Sequence, residues 1–158
     1  MIKAIITDFS HVLLFARDKT YQGSINDLYA EKVTEHNFDF WSVFALNETL
    51  FDLYKAVGAD IPVYIFTGRT VQNDPAILSK LQEAFADIFS AEDMNLSKKE
   101  TSTYKMLCET IDLPPGSVLY IDDKQAHVDI AKEAGLQAFQ HISNGVTIQK
   151  LDKLGIRN

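Results

Sequence analysis

Apolar residues recur along this chain in two alternating rhythms. Short, mostly apolar runs at residues 2–7, 61–66 and 118–121 predict strands buried on both faces. Between them, apolar residues fall at helical spacing. Leu50, Leu53, Tyr54 and Val57 mark one helix, with Asn47 as N-cap and Gly58 as its stop. Ile77, Leu78, Leu81 and Phe85 mark the next, opened by Asp74-Pro75. A further helix spans about 101–111 and breaks at Pro114-Pro115-Gly116; another spans about 125–134 with Gly135 just beyond it. Ile88-Phe89 predicts a short strand, Gln137 to Gln140 an edge strand, and Val146, Gln149, Leu151 and Leu154 a closing helix. This alternation predicts an α/β fold, a three-layer Rossmann-like parallel sheet flanked by helices, in a single domain over 1–158.

One segment breaks the rhythm. A polar, glycine-containing stretch follows the first strand as far as Ser24. Ile25, Leu28, Tyr29, Lys32 and Val33 then predict a short amphipathic helix, followed by the aromatic cluster Phe38, Phe40, Trp41 and Phe44. Together they predict a small helical cap insert at about residues 16–46, its aromatics packing it onto the main body. An insert this small suggests a large substrate, or a small one held by few contacts, with Arg17 and Arg69 as candidates for the rim.

A net charge of -7 argues against a general nucleic-acid surface, which needs clustered positive charge. Cys108 is the single cysteine, so no intrachain disulfide can form, and its spacing with Tyr104, Leu107 and Ile111 predicts a core position. No apolar run approaches membrane-spanning length, and Met1 leads straight into the first strand without room for a signal peptide. No membrane association and a cytoplasmic location are expected, as a monomer or a dimer.

The chemistry gathers where strands end. Asp8 closes the first run, Asp122-Asp123 close the run 118–121, and Thr67-Gly68 follow the run 61–66. Open α/β sheets place their ligand sites at the carboxyl ends of strands. Carboxylates converging there repel one another unless a cation joins them, which suggests a hard-metal site containing a nucleophile. Lys98 and Lys99 lie between Thr67 and Asp122 and offer positive charge.

In this order the elements resemble the haloacid dehalogenase superfamily of aspartate-nucleophile enzymes, most of which are phosphatases. The resemblance runs from Thr7-Asp8-Phe9-Ser10-His11-Val12-Leu13, through Thr67 and Lys98, to Leu119-Tyr120-Ile121-Asp122-Asp123, and covers about residues 2–140. It implies that Asp8 attacks phosphorus and forms an aspartyl-phosphate. It implies Mg2+ held by Asp8, the backbone carbonyl of Ser10 and Asp123, with Asp122 acting directly or through water. Thr67, the backbone at Gly68 and Lys98 would hold the phosphoryl group. The implied partner is a phosphorylated small molecule or an exposed phosphoryl group of a larger substrate.

The departures from that pattern sit beside the nucleophile. Ser10 stands where such phosphatases carry a second Asp that protonates the leaving group, and a missing acid/base costs about 10²–10⁴-fold in rate. His11, in the usual glycine position, has suitable chemistry to replace it. His127 occupies a position where Asp or Asn often supports the metal, and its helical setting predicts a surface residue. Ser10 also matches neither the aromatic residue of haloacid dehalogenases nor the alanine of phosphonate-cleaving members, which would further need a lysine such as Lys19 or Lys32. Three functions stay open: a phosphatase of reduced or altered activity, a non-catalytic phosphate- and metal-binding module, and a dehalogenase.

Overall fold

The computed structural model describes residues 1–156. Five strands form one parallel sheet: β1 (Ala4–Thr7), β4 (Val63–Thr67), β5 (Asp87–Ser90), β6 (Val118–Asp122) and β7 (Gln137–Gln140). Their spatial order is β5-β4-β1-β6-β7. In register, Ile5 faces Val63 on one side and Leu119 on the other. Strand side chains alternate between faces, and two hydrophobic clusters follow. Ile5, Ile65, Leu119 and Ile121 pack toward helices α3 (Glu48–Val57), α4 (Pro75–Gln82) and α7 (Asn144–Lys153). Ile6, Phe66, Val118 and Tyr120 pack toward α5 (Thr101–Thr110) and α6 (Gln125–Glu133). The α/β three-layer architecture is the one that the alternating pattern predicts.

Helix ends follow local chemistry. Asn47, Asp74 and Ser143 each accept a first-turn N–H at the starts of α3, α4 and α7. Gly135, at φ 97°, supplies the left-handed residue after α6. Gly58 acts differently. Its φ is −61°, and a Cβ there would lie 3.1 Å from the Tyr54 carbonyl oxygen and 3.3 Å from that of Ala84. Its role is not one of handedness, and a Cβ there would require both carbonyls to shift by a few tenths of an ångström.

The insert between β1 and α3 holds more than helix. It opens on β2 (Leu14–Ala16) and closes on β3 (Phe44–Leu46), which pair antiparallel. Between them lie α1 (Ile25–Lys32) and the single turn α2 (Phe40–Val43). Tyr29, Phe38, Phe40, Trp41 and Phe44 interlock, with Phe40 and Phe44 centroids 4.9 Å apart. Arg17 donates to the Trp41 carbonyl and Arg69 pairs with Asp27, so both arginines brace the insert and neither lines the main cavity. Cys108 is buried, and burial pushes its thiol up to about 11.

Candidate active site

In strand order, β1 is flanked by β4 and β6, so the chain reverses direction across the sheet at β1. Such a switch point opens a crevice beyond the strand ends. Asp8 follows β1, and Asp122 ends β6 beside it. One carboxylate oxygen from each of Asp8, Asp122 and Asp123 lies within 4.8 Å of the others.

Lys98 reaches the cluster from the loop before α5. The Tyr104 hydroxyl donates to its carbonyl (2.9 Å), and Thr103 ties down the Ser97 carbonyl (2.6 Å). The Lys98 ammonium donates to Asp8 Oδ1 at 2.7 Å and Asp122 Oδ2 at 3.2 Å, and lies 5.1 Å from the Phe66 ring centroid. Burial works against this cation, but the charges of Asp8 and Asp122 outweigh it and raise its pKa.

One ammonium does not neutralise three carboxylates. Asp8 accepts from the Phe9 N–H at 2.7 Å. Burial raises its pKa, Lys98 opposes, and the Asp122 charge helps keep it above the usual range. Asp123 is pushed up to about 7 by burial and by the charges of Asp8 and Asp122. Asp122 goes the other way. Burial opposes its charge, but His127, Lys98, Tyr120 and the Lys124 N–H together hold it below the usual carboxylate range. Its Oδ2 accepts from the Tyr120 hydroxyl and faces His127 Nδ1 at 3.1 Å; its Oδ1 accepts from the Lys124 N–H at 2.8 Å. An all-oxygen donor set short of positive charge fits a hard divalent cation such as Mg2+. Asp8 and Asp123 are the freer donors, and Asp122 is largely taken up in ordering the cluster.

The remaining predicted site residues fall as follows. Ser10, His11, Gly68 and His127 line the same cavity of about 570 Å³ as Asp8, Lys98 and Asp123. Thr67 is fully buried, is not a cavity wall, and its hydroxyl finds no partner. The Ser10 hydroxyl is likewise buried without a partner. His11 adopts φ 61° in a tight turn where the Phe9 carbonyl accepts from the N–H groups of Val12, Leu13 and Leu14. A left-handed histidine carries a backbone cost that glycine would not.

The structure corrects one expectation. His127 is not a helix-surface residue: its side chain is 14% exposed and bound to Asp122. Because a carboxylate only accepts, Nδ1 carries the proton in this contact. The signal was present in its place in the first turn of α6, five residues past Asp122, where a side chain can reach back to the strand end. Sequence reasoning also missed the bond from buried Tyr120 to Asp122, and the insert residues Gln22 to Asn26, which line the cavity beside the carboxylates.

No family model matches the chain. Among curated proteins, an enolase-phosphatase E1 from Aquifex aeolicus (strain VF5) is 31% identical over 91 residues, covering 54% of this chain and 40% of that protein. The chain spans less than half the length of the curated relatives it matches. Among solved structures, a HAD (haloacid dehalogenase) family enzyme from Bacteroides thetaiotaomicron, in a magnesium complex, superposes with a TM-score of 0.68 at 16% identity. That match covers 94% of this chain and 98% of that one. The same protein is also seen with magnesium and inorganic phosphate, at a TM-score of 0.63, 16% identity and coverage of 91% and 96%. A dehalogenase in an intermediate complex superposes at 0.67, with 14% identity and coverage of 99% and 98%. In its fold, the chain is similar to these haloacid dehalogenase family structures.

Proposed function

We propose that this chain is a magnesium-dependent phosphatase of the haloacid dehalogenase type, acting through a phosphorylated Asp8. What supports this most is the convergence of Asp8, Asp122 and Asp123 with the Lys98 ammonium at the ends of adjacent strands. The curated relatives that the chain matches are enolase-phosphatases, and one structural neighbour is a complex with magnesium and inorganic phosphate.

Asp8, Asp123 and the Ser10 carbonyl would hold the metal, with Asp122 ordering them. When bound, Mg2+ supplies charge that offsets the repulsion between a carboxylate nucleophile and a phosphoryl group. An Asp8 oxygen forms the bond to phosphorus as the bond to the leaving oxygen breaks. Water then attacks the phosphorus of the aspartyl-phosphate, releasing phosphate and restoring the carboxylate. The Phe9 N–H fixes the rotamer of Asp8, and Lys98 neutralises it and the transferred group. The backbone at Gly68, on the cavity wall, would complete the phosphoryl cradle.

The leaving oxygen needs a proton. A neutral, buried Ser10 hydroxyl is a poor source, and His11 on the cavity wall would take that part. The test is phosphate release from a panel of phosphate esters with Mg2+ and with chelator, using Asp8→Asn as the blank. Release that needs both Asp8 and Mg2+ is expected; release that survives Asp8→Asn would sink the proposal.

Ser10 also favours a second reading, a phosphate- and metal-sensing module without turnover. Thermal stabilisation by phosphate with Mg2+, unaccompanied by release from any ester, would establish it. Halide release from a 2-halo acid without Mg2+ would instead mark a dehalogenase.

A further inference from the structure

We infer that the insert segment Gln22 to Asn26 makes this site selective for phosphate esters of small, hydroxyl-bearing molecules. The inference rests on the phosphatase reading above and names its substrate class. The cavity of about 570 Å³ falls within the ~300–1,000 Å³ typical of small-molecule sites. The main body supplies the carboxylates, Lys98 and the histidines. The insert supplies the remaining wall as one unbroken run of five residues.

That run is braced from within and from outside. The Tyr21 hydroxyl donates to the Ser24 carbonyl at 2.9 Å, and Ser24 Oγ accepts from the Asp27 N–H. A Cβ on Gly23 would lie 2.3 Å from the Tyr21 hydroxyl oxygen, so only glycine lets this bridge close as it does. Two links then fix α1 to the loop after β4. Arg69 pairs with Asp27, and the Tyr29 hydroxyl donates to Asp74 Oδ2 at 2.9 Å. Braces of this kind hold the backbone of the run in place, which lowers the ordering cost of binding.

The chemistry of the wall sets the class. Gln22, Ser24 and Asn26 bring two carboxamides and a hydroxyl, and no charge. Ile25, its one large apolar member, is buried in the core. The Asn26 carboxamide oxygen is buried without a hydrogen-bond partner, a state uncommon in folded proteins. Carboxamides both donate and accept, as hydroxyl groups do, so a hydroxylated leaving group satisfies them pairwise. An apolar leaving group would leave the buried Asn26 oxygen unpaired, and sites built to bond a hydroxyl reject analogues lacking it. The run itself brings no cation; Lys124 of the main body also lines the cavity.

The test compares kcat/KM with Mg2+ for glycerol phosphate and butyl phosphate, which are similar in size and both leave as alkyl alcohols. Glycerol phosphate should exceed butyl phosphate by about tenfold or more. Asn26→Leu, and separately Gln22→Leu in the exposed part of the run, should each shrink that preference several-fold, mainly through KM. Melting curves establish that both variants are folded. The inference is overturned if wild type prefers butyl phosphate, or if neither variant changes the ratio. Absence of Asp8-dependent release from every ester instead overturns the phosphatase reading, and this inference with it.

Discussion

Replacing Lys98 with methionine isolates the electrostatics of the site. The ammonium is 10% exposed and bonds two carboxylates that are 9% and 0% exposed. Methionine keeps most of the stem and its contact with Phe66 but removes the charge. Breaking a buried pair from one side costs about 3–5 kcal/mol, because the other charge stays buried and uncompensated. For a domain of this size, each kcal/mol moves the melting temperature by about 2–4 °C. Lys98→Met should therefore melt roughly 6–20 °C below wild type in chelator. Proton uptake by Asp8 or Asp123, both already raised, draws the shift toward the lower end at acid pH. Added Mg2+ should then stabilise the variant more than wild type, since three carboxylates are left without a cation. The assay is a thermal melt at pH 7.5 with chelator and with Mg2+. A variant melting within about 2 °C of wild type in chelator would refute the claim that Lys98 neutralises the cluster. An Mg2+ shift in neither protein would refute the metal site.

Three other outcomes follow from the same geometry. Asp123 moves from its ordinary 3.8 to about 7, so the metal-free fold favours its protonated form. Its contribution to stability is full below pH 3.8 and is lost as pH rises toward 7. Cation binding displaces that proton, so the Kd for Mg2+, measured by titration calorimetry, should tighten by up to tenfold per pH unit between pH 5 and 7 and level off above. Asp122, held below its usual range, contributes in the opposite sense and loses its stabilisation only as pH falls below 3.8. Ser10→Asp should raise phosphate release from alkyl phosphates by about 10²-fold or more, because it supplies the missing acid/base. Gly58→Ala should destabilise the fold by about 1–3 kcal/mol in urea melts, because its Cβ would crowd the Tyr54 and Ala84 carbonyl oxygens.

Much of this molecule was legible because its central strands are buried on both faces. Ile5-Ile6, Ile65-Phe66 and Tyr120-Ile121 must be apolar at successive positions, and a polar residue after such a run marks the strand's end. That is how Asp8, Thr67 and Asp122-Asp123 stood out. The β2–β3 pair left no such mark. Each strand is three residues long, and Phe44-Ala45-Leu46 continues the aromatic run of the insert, so no alternation betrays it. The wall from Gln22 to Asn26 has no periodicity; only the fold of the insert brings it over the carboxylates. Thr67 shows the opposite limit. Sequence places it at a strand end, but whether its hydroxyl meets the cavity or lies buried depends on packing that no local pattern encodes.

The central claim is that Asp8 carries the phosphoryl group. The most direct measurement mixes the protein with Mg2+ and a hydrolysed ester, quenches in acid within a turnover, and maps peptide masses. The account predicts a phosphoryl adduct on the peptide containing Asp8, absent in chelator and in Asp8→Asn. Turnover with no adduct on that peptide, or with the adduct on another residue, would contradict it.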